Sequence, residues 1–124
     1  MNKRIRKKKG IYNNFKDSEW YDLDITIAKF VLPRLIKFKE KKRSVPCLLD
    51  DDGNIMDLNI ADKLWDEYLN KMIWSFEQII NDSSPSVDWC KEYGKDLIAE
   101  TQSWNDQVQE GLDLFARHFR NLWD

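Results

Sequence analysis

Residues 20–40 read WYDLDITIAKFVLPRLIKFKE, and the fold depends on how this stretch is arranged. Its apolar residues Trp20, Leu23, Ile27, Val31, Leu35 and Phe38 recur every three or four positions, the spacing that gathers side chains on one helical face. Asp17 or Ser18 can cap this helix, with Glu19 favourably placed in its first turn. Pro33 lacks a backbone N–H and is expected to bend the helix near Lys29 to Pro33. The stripe stays in phase across the proline, so one kinked helix is expected rather than two shorter ones. The basic run KFKEKKRS, residues 37–44, closes it, its cations suiting the negative end of the helix dipole.

Two charges interrupt the apolar face. With Trp20 and Phe38 at its centre, Asp24 falls about 40° to one side and Arg34 about 40° to the other. They are separated by about 15 Å along the axis and do not pair with each other. Two explanations stand. Each has an ion-pair or cap partner on another helix, with Glu77 and Glu100 as carboxylates for Arg34; or the two line a polar pocket between helices, where ligands of bundles sit.

Beyond the first helix comes VPCLLDDDGNIMDLN, residues 45–59. Pro46 stops any helix, DDDGN is a turn, and the flanks CLL and IM can form a short hairpin, so 45–57 is expected to be a small hairpin or irregular loop. Residues 57–82 form a second helix, capped by Asp57 or Asn59. Its stripe is Ala61, Trp65, Tyr68, Leu69, Met72, Phe76, Ile79 and Ile80. Ser84 followed by Pro85 signals the start of a third. No proline follows, and Cys90, Leu97, Thr101, Trp104, Val108, Phe115 and Leu122 alternate steps of three and four, with Gly94, Gly111 and His118 in the gaps. One long helix is expected, with a possible interruption at Gly94. Gly111 on this seam permits close backbone approach or a bend. The expected fold is all-α: a three-helix antiparallel bundle with a kinked first helix and a long third helix.

The 124-residue chain suits one domain, and its 42% hydrophobic and 34% charged residues are a globular balance. Aromatics reach 13%, with six tryptophans, residues that enrich cores and interfaces alike. No apolar run is long enough to span a bilayer, and the basic N-terminus lacks the apolar segment of a secretory signal. Cys47 and Cys90 lack metal-like spacing and are expected to be reduced thiols in a cytoplasm. The net charge of −2 hides an asymmetry. Residues 1–10 hold six bases and no acid, leaving 14 bases and 22 acids, a net of −8, in the rest. A basic arm, residues 1–16 and expected to be disordered, is attached to an acidic helical domain, residues 17–124.

Chemical motifs are few. With Gly53 as its glycine, DDDGN resembles the turn of a calcium loop, but the first and twelfth ligand positions would be Leu48 and Asn59. A solvated turn is expected, with no metal. Asp22 and Asp24 point about 200° apart on a helix and cannot readily grip one ion. His118, the sole histidine, lies on the seam and is expected to be a packed residue rather than a ligand. No nucleophile setting or glycine-rich phosphate loop is present, so no catalytic residue and no cofactor is expected. A hydrolase built on Asp24 and Glu77 is a weaker alternative. Trp74 lies about 180° from the stripe of its helix, so the arm, the hairpin, a second subunit or a partner is expected to cover it, with an interface favoured. Together with the long seam, this points to a homo-oligomer. The arm's Lys3, Arg4, Arg6, Lys7, Lys8 and Lys9 can neutralise phosphates, so a nucleic-acid-associated role is the alternative function.

The body resembles a family of small phage- and prophage-encoded all-α proteins of no established activity. The resemblance lies in Trp20, Leu23 and Asp24; in Lys29, Phe30, Pro33 and Arg34; in Trp65, Met72, Trp74, Phe76 and Glu77; and in Gly111, Leu112, Phe115, Phe119, Leu122, Trp123 and Asp124. It implies a phage accessory role in the cytoplasm of the infected host and supplies no catalytic residues. By analogy with small phage proteins, the expected function is non-enzymatic: sequestering a host factor, either a defence protein or a small anionic nucleotide signal. The candidate binding residues are Trp20, Asp24, Arg34, Trp74 and Glu77.

Overall fold

In the computed structural model the described residues are 14–81 and 95–123. The arm cations Lys3 to Lys9, the Ser84–Pro85 helix start, Cys90 and Gly94 lie outside them. Among the described residues the chain is all-helical: α1 (Asp17–Tyr21), α2 (Leu23–Lys41), α3 (Leu58–Asn81) and α4 (Lys95–His118), then a single 3-10 turn over Phe119–Asn121.

The expected first helix is therefore two. Lys16 precedes α1, and its backbone N–H donates to the Glu19 carboxylate at 2.7 Å, the reciprocal half of a capping box. The break falls at Asp22 (φ −112°, ψ 59°), whose carbonyl accepts the Thr26 N–H at 2.9 Å and opens α2. Pro33 lies within α2 and does not end it.

α3 is the central helix, packed against α2 on one side and α4 on the other. Its expected stripe is the core: Ala61, Trp65, Leu69, Met72 and Phe76 are buried, and Tyr68, Ile79 and Ile80 half-buried. Asp57 caps it, its carboxylate accepting the Asn59 N–H at 3.2 Å. α4 runs antiparallel to α3. Trp104 donates its indole N–H to Gln78 at 2.9 Å, Ser75 its hydroxyl to the Gln107 carbonyl at 3.4 Å, and Lys71 its ammonium to Glu110 at 2.6 Å. Farther along, Tyr68 stacks on His118 with ring centres 5.1 Å apart. The expected seam faces α3, with Val108 and Gly111 buried and Thr101, Trp104, Phe115, His118 and Leu122 half-buried.

Gly111 is where the two helices approach most intimately. A Cβ there would overlap the Ser75 hydroxyl and lie 2.5 Å from the Lys71 carbonyl oxygen. Ser75, fully buried, is small for the same reason.

Residues 45–57 form the compact connection. A single antiparallel bridge joins Leu49 and Ile55. The Asp50 carboxylate accepts the backbone N–H groups of Asp52 (3.0 Å) and Asn54 (2.8 Å), and Gly53 supplies the left-handed residue at φ 82°. Leu48, buried, pins the loop to the core. At the foot of α2, Lys42 lies 3.0 Å from Asp66 and 3.6 Å from Asp62, a clamp between the end of α2 and the start of α3.

Candidate binding face

α2 carries two apolar faces, and only one belongs to the core. At about 100° per residue, Ala28, Val31, Leu35 and Phe38 share one side, and Leu23, Ile27, Phe30 and Arg34 another about 90° away. The first set packs on α3: Ala28 and Leu35 are buried, Val31 and Phe38 half-buried. The second set points outward. Leu23 is 54% exposed, Ile27 47% and Phe30 61%. On α1, Trp20 and Tyr21 are also exposed, 52% and 67%, their rings 4.2 Å apart. The Trp20 indole N–H donates to Asp17 at 3.2 Å, which fixes the ring on the surface. The stripe expected to run inward from Trp20 to Phe38 thus divides, its N-terminal half facing out and its C-terminal half facing in.

This division corrects the placement of the two charges. Asp24 and Arg34 are both exposed, so the burial assumed for them does not arise. Arg34 donates to the carbonyl of Phe30, one turn earlier, at 2.8 Å, and its guanidinium lies 3.8 Å from the centre of the Phe30 ring. That is a local cation–π contact. Neither Glu77, half-buried, nor Glu100, exposed, forms an ion pair with it among the described residues. A helix offset of 40° leaves room for either side of the core, and the second apolar face drew the expected centre of the stripe off axis.

Beside this face lies an open groove of about 260 Å³, lined by Phe30, Val31, Arg34, Leu35, Phe38, Phe115 and Leu122. Its floor is aromatic. Phe76 in the core meets Phe115 edge-on at 5.1 Å, and Phe115 meets the exposed Phe119 at 5.6 Å, so a ladder of rings leads from core to surface. Among the described residues, Arg34 is the only charged side chain lining the groove.

The other candidates are scattered. Trp74 is half-buried rather than exposed, because α3 is covered on two sides and its buried arc is wide. With Asn70, Lys71, Gln107 and Glu110 it lines an open polar cavity of about 470 Å³ between α3 and α4. Trp74 and the α4 seam, the residues that suggested an oligomer, are thus both engaged within one chain. Glu110 raises the Lys71 pKa, chiefly through their hydrogen bond. Among the described residues, the side chains of Asp24 and Glu77 take part in no ion pair. Arg34 lies on the outward face of α2, Asp24 is exposed in the first turn of the same helix, Trp20 is exposed on α1, and Trp74 and Glu77 belong to α3.

His118 is packed, as its seam position implied. It stacks on Tyr68 and meets the fully buried Trp65 edge-on at 5.5 Å. Burial, reinforced by the neighbouring Arg117, lowers its pKa below the usual histidine value. The Trp65 indole N–H has no acceptor among the described residues, a cost of about 1–3 kcal/mol that the ring's packing offsets. The outward face of Leu23, Ile27 and Phe30 was missed in the sequence. Its signal was present as the 23-27-30-34 spacing, overlaid on the 28-31-35-38 spacing of the core face.

Among the described residues, no group of three or more His, Cys, Asp or Glu side chains could hold a metal ion, and no helix is long and apolar enough to cross a membrane. No family model matches the chain, and no curated protein or solved structure matches it.

Proposed function

We propose that this chain is a non-catalytic phage accessory protein that sequesters a host defence protein by taking an apolar segment of it onto α1 and α2. What supports this function is the outward face: Leu23, Ile27 and Phe30 within about 60° of one another, beside a groove lined by Phe115. An amphipathic helix laid along such a face would place anchors every three or four residues, with its own acid opposite Arg34. A nucleotide in the groove fits less well, since Arg34 is the one cation among the described residues that line it.

The test is native mass spectrometry of the chain co-expressed with host proteins. Wild type should carry one host protein in a fixed ratio, and purified components should rebind. Phe30→Asp should abolish binding while its thermal unfolding stays unchanged, because Phe30 is outside the core. Arg34→Met should weaken binding without changing stability. Recovery of a nucleotide instead, or full binding by Phe30→Asp, would refute the proposal.

A further inference from the structure

The outward face has a polarity along its length that its apolar residues alone do not reveal. Residues 17–28 contain four acids, Asp17, Glu19, Asp22 and Asp24, and no base. Residues 29–43 contain seven bases and one acid. The stripe Leu23, Ile27, Phe30 continues at the same spacing into Arg34, Lys37 and Lys41, so its first turns are apolar and its last turns cationic. Along the chain from α1 through α2 the order is therefore acidic end, apolar middle, basic end.

Such an order along a helical segment is complementary to itself when turned end for end. We propose that α1 and α2 pair with the same elements of a second copy, the two α2 helices antiparallel about a two-fold axis near Ile27. The acidic end of each copy then lies over the basic end of the other, and Leu23, Ile27 and Phe30 of both copies meet in the middle. This is an isologous contact, each residue pair occurring twice. Parallel pairing would set acid against acid and base against base.

The area is sufficient. Trp20, Tyr21, Leu23, Ile27 and Phe30 are 47–67% exposed. At about 150–250 Å² for a large side chain, they offer about 500 Å² per copy, and the flanking charged stems bring the pair past the roughly 1,000 Å² of a specific interface. The inference shares a surface with the proposed function but does not depend on it; where both hold, the second copy and the host segment compete, and the free chain is held as a dimer.

Charge reversal with complementation tests it by sedimentation of the full chain. One variant makes the acidic end basic (Glu19→Lys with Asp24→Lys); the other makes the basic end acidic (Arg34→Glu with Lys37→Glu). Wild type should sediment as a dimer at micromolar concentrations, weakening as salt rises. Each variant alone should be monomeric, with its thermal unfolding close to that of wild type. An equimolar mixture of the two should restore a dimer containing one of each. A monomeric wild type, a dimer that survives in Phe30→Asp, or variants that fail to associate when mixed would each overturn the pairing. A monomeric wild type that still binds a host protein through Phe30 would remove this inference and leave the proposed function intact. A dimer lost in Phe30→Asp, with host binding retained, would do the reverse.

Discussion

Replacing Gly111 by alanine asks whether α4 sits as close to α3 as Ser75 and Lys71 imply. On an open helix surface the substitution stabilises by about 0.5–1 kcal/mol, because alanine restricts the unfolded chain and favours the helix. At position 111 the added carbon lies 2.5 Å from the Lys71 carbonyl oxygen and 2.7 Å from the Ser75 Cβ. Neither obstacle can rotate aside: one is backbone and the other is fixed to it. α4 must therefore move outward, loosening the contacts of Leu114 and Phe115 with the core. Overpacking of this kind costs about 1–3 kcal/mol, and a backbone obstacle belongs in the upper part of that range. The net expectation is a loss of about 1–2 kcal/mol, or about 4–10 °C in melting temperature for a domain of this size.

Urea unfolding followed by circular dichroism measures it. The partner variant Ser75→Gly removes the hydroxyl and Cβ that the new methyl would strike but leaves the Lys71 carbonyl. The double variant should therefore lose less than the sum of the two single variants. A Gly111→Ala protein as stable as wild type, or more so, would refute the close crossing, since the helix-propensity gain would then be all that remained. Strict additivity would show that Ser75 is not the neighbour.

Two further outcomes are expected. His118 has a folded-state pKa below its unfolded value, so the unfolded chain binds its proton more readily; the stability this contributes is complete above the ordinary histidine pKa of about 6.5 and falls away as pH drops toward the folded value. The melting temperature of wild type relative to His118→Phe, which keeps an aromatic ring and cannot titrate, should decline between pH 7.5 and pH 5; a constant difference would contradict the packing on Tyr68 and Trp65. Lys42→Ala should cost about 1 kcal/mol by separating the end of α2 from Asp62 and Asp66, with part of that cost disappearing in high salt; an effect independent of salt would assign Lys42 a packing role alone.

The helices α3 and α4 were legible because each has one dominant period. Trp65, Leu69, Met72 and Phe76 on α3, and Val108, Gly111 and Phe115 on α4, fall on single stripes that meet. The packing role of His118 followed from its place in that series. The first segment was harder for two physical reasons. Asp22 leaves the helical region between Tyr21 and Leu23, and nothing local marks it as a break, since an aspartate there serves equally well as the exposed side of one helix. In addition, two three-four periods overlap in α2, so a single-stripe fit merges an outward face with an inward one. Arg34 looked buried only within that merged stripe. Lys42 was invisible for a different reason: its clamp depends on where Asp62 and Asp66 arrive after the 45–57 loop, which no local pattern fixes.

The second face of α2 also bears on why these residues are present at all. Ala28, Val31, Leu35 and Phe38 already give α2 a complete core side. Leu23, Ile27 and Phe30 are about half exposed or more and contribute little to folding, yet each exposes apolar surface at a cost in solubility. Single exposed apolar residues are ordinary on any protein, but three on one stripe of a helix form a continuous surface. Arg34 adds to it rather than breaking it. Its guanidinium lies over Phe30 and donates to the Phe30 carbonyl, so its planar fork keeps donors available. A lysine lacks this planar fork, which makes Arg34→Lys a sharper probe than charge removal. With charge retained and shape lost, stability should stay within about 0.5 kcal/mol of wild type, as for other exposed sites. Association through the face, measured by sedimentation or by binding to a co-expressed host protein, should weaken several-fold. Undiminished association would mean that Arg34 acts only as a positive charge, and that its contact with Phe30 is incidental to what the face binds.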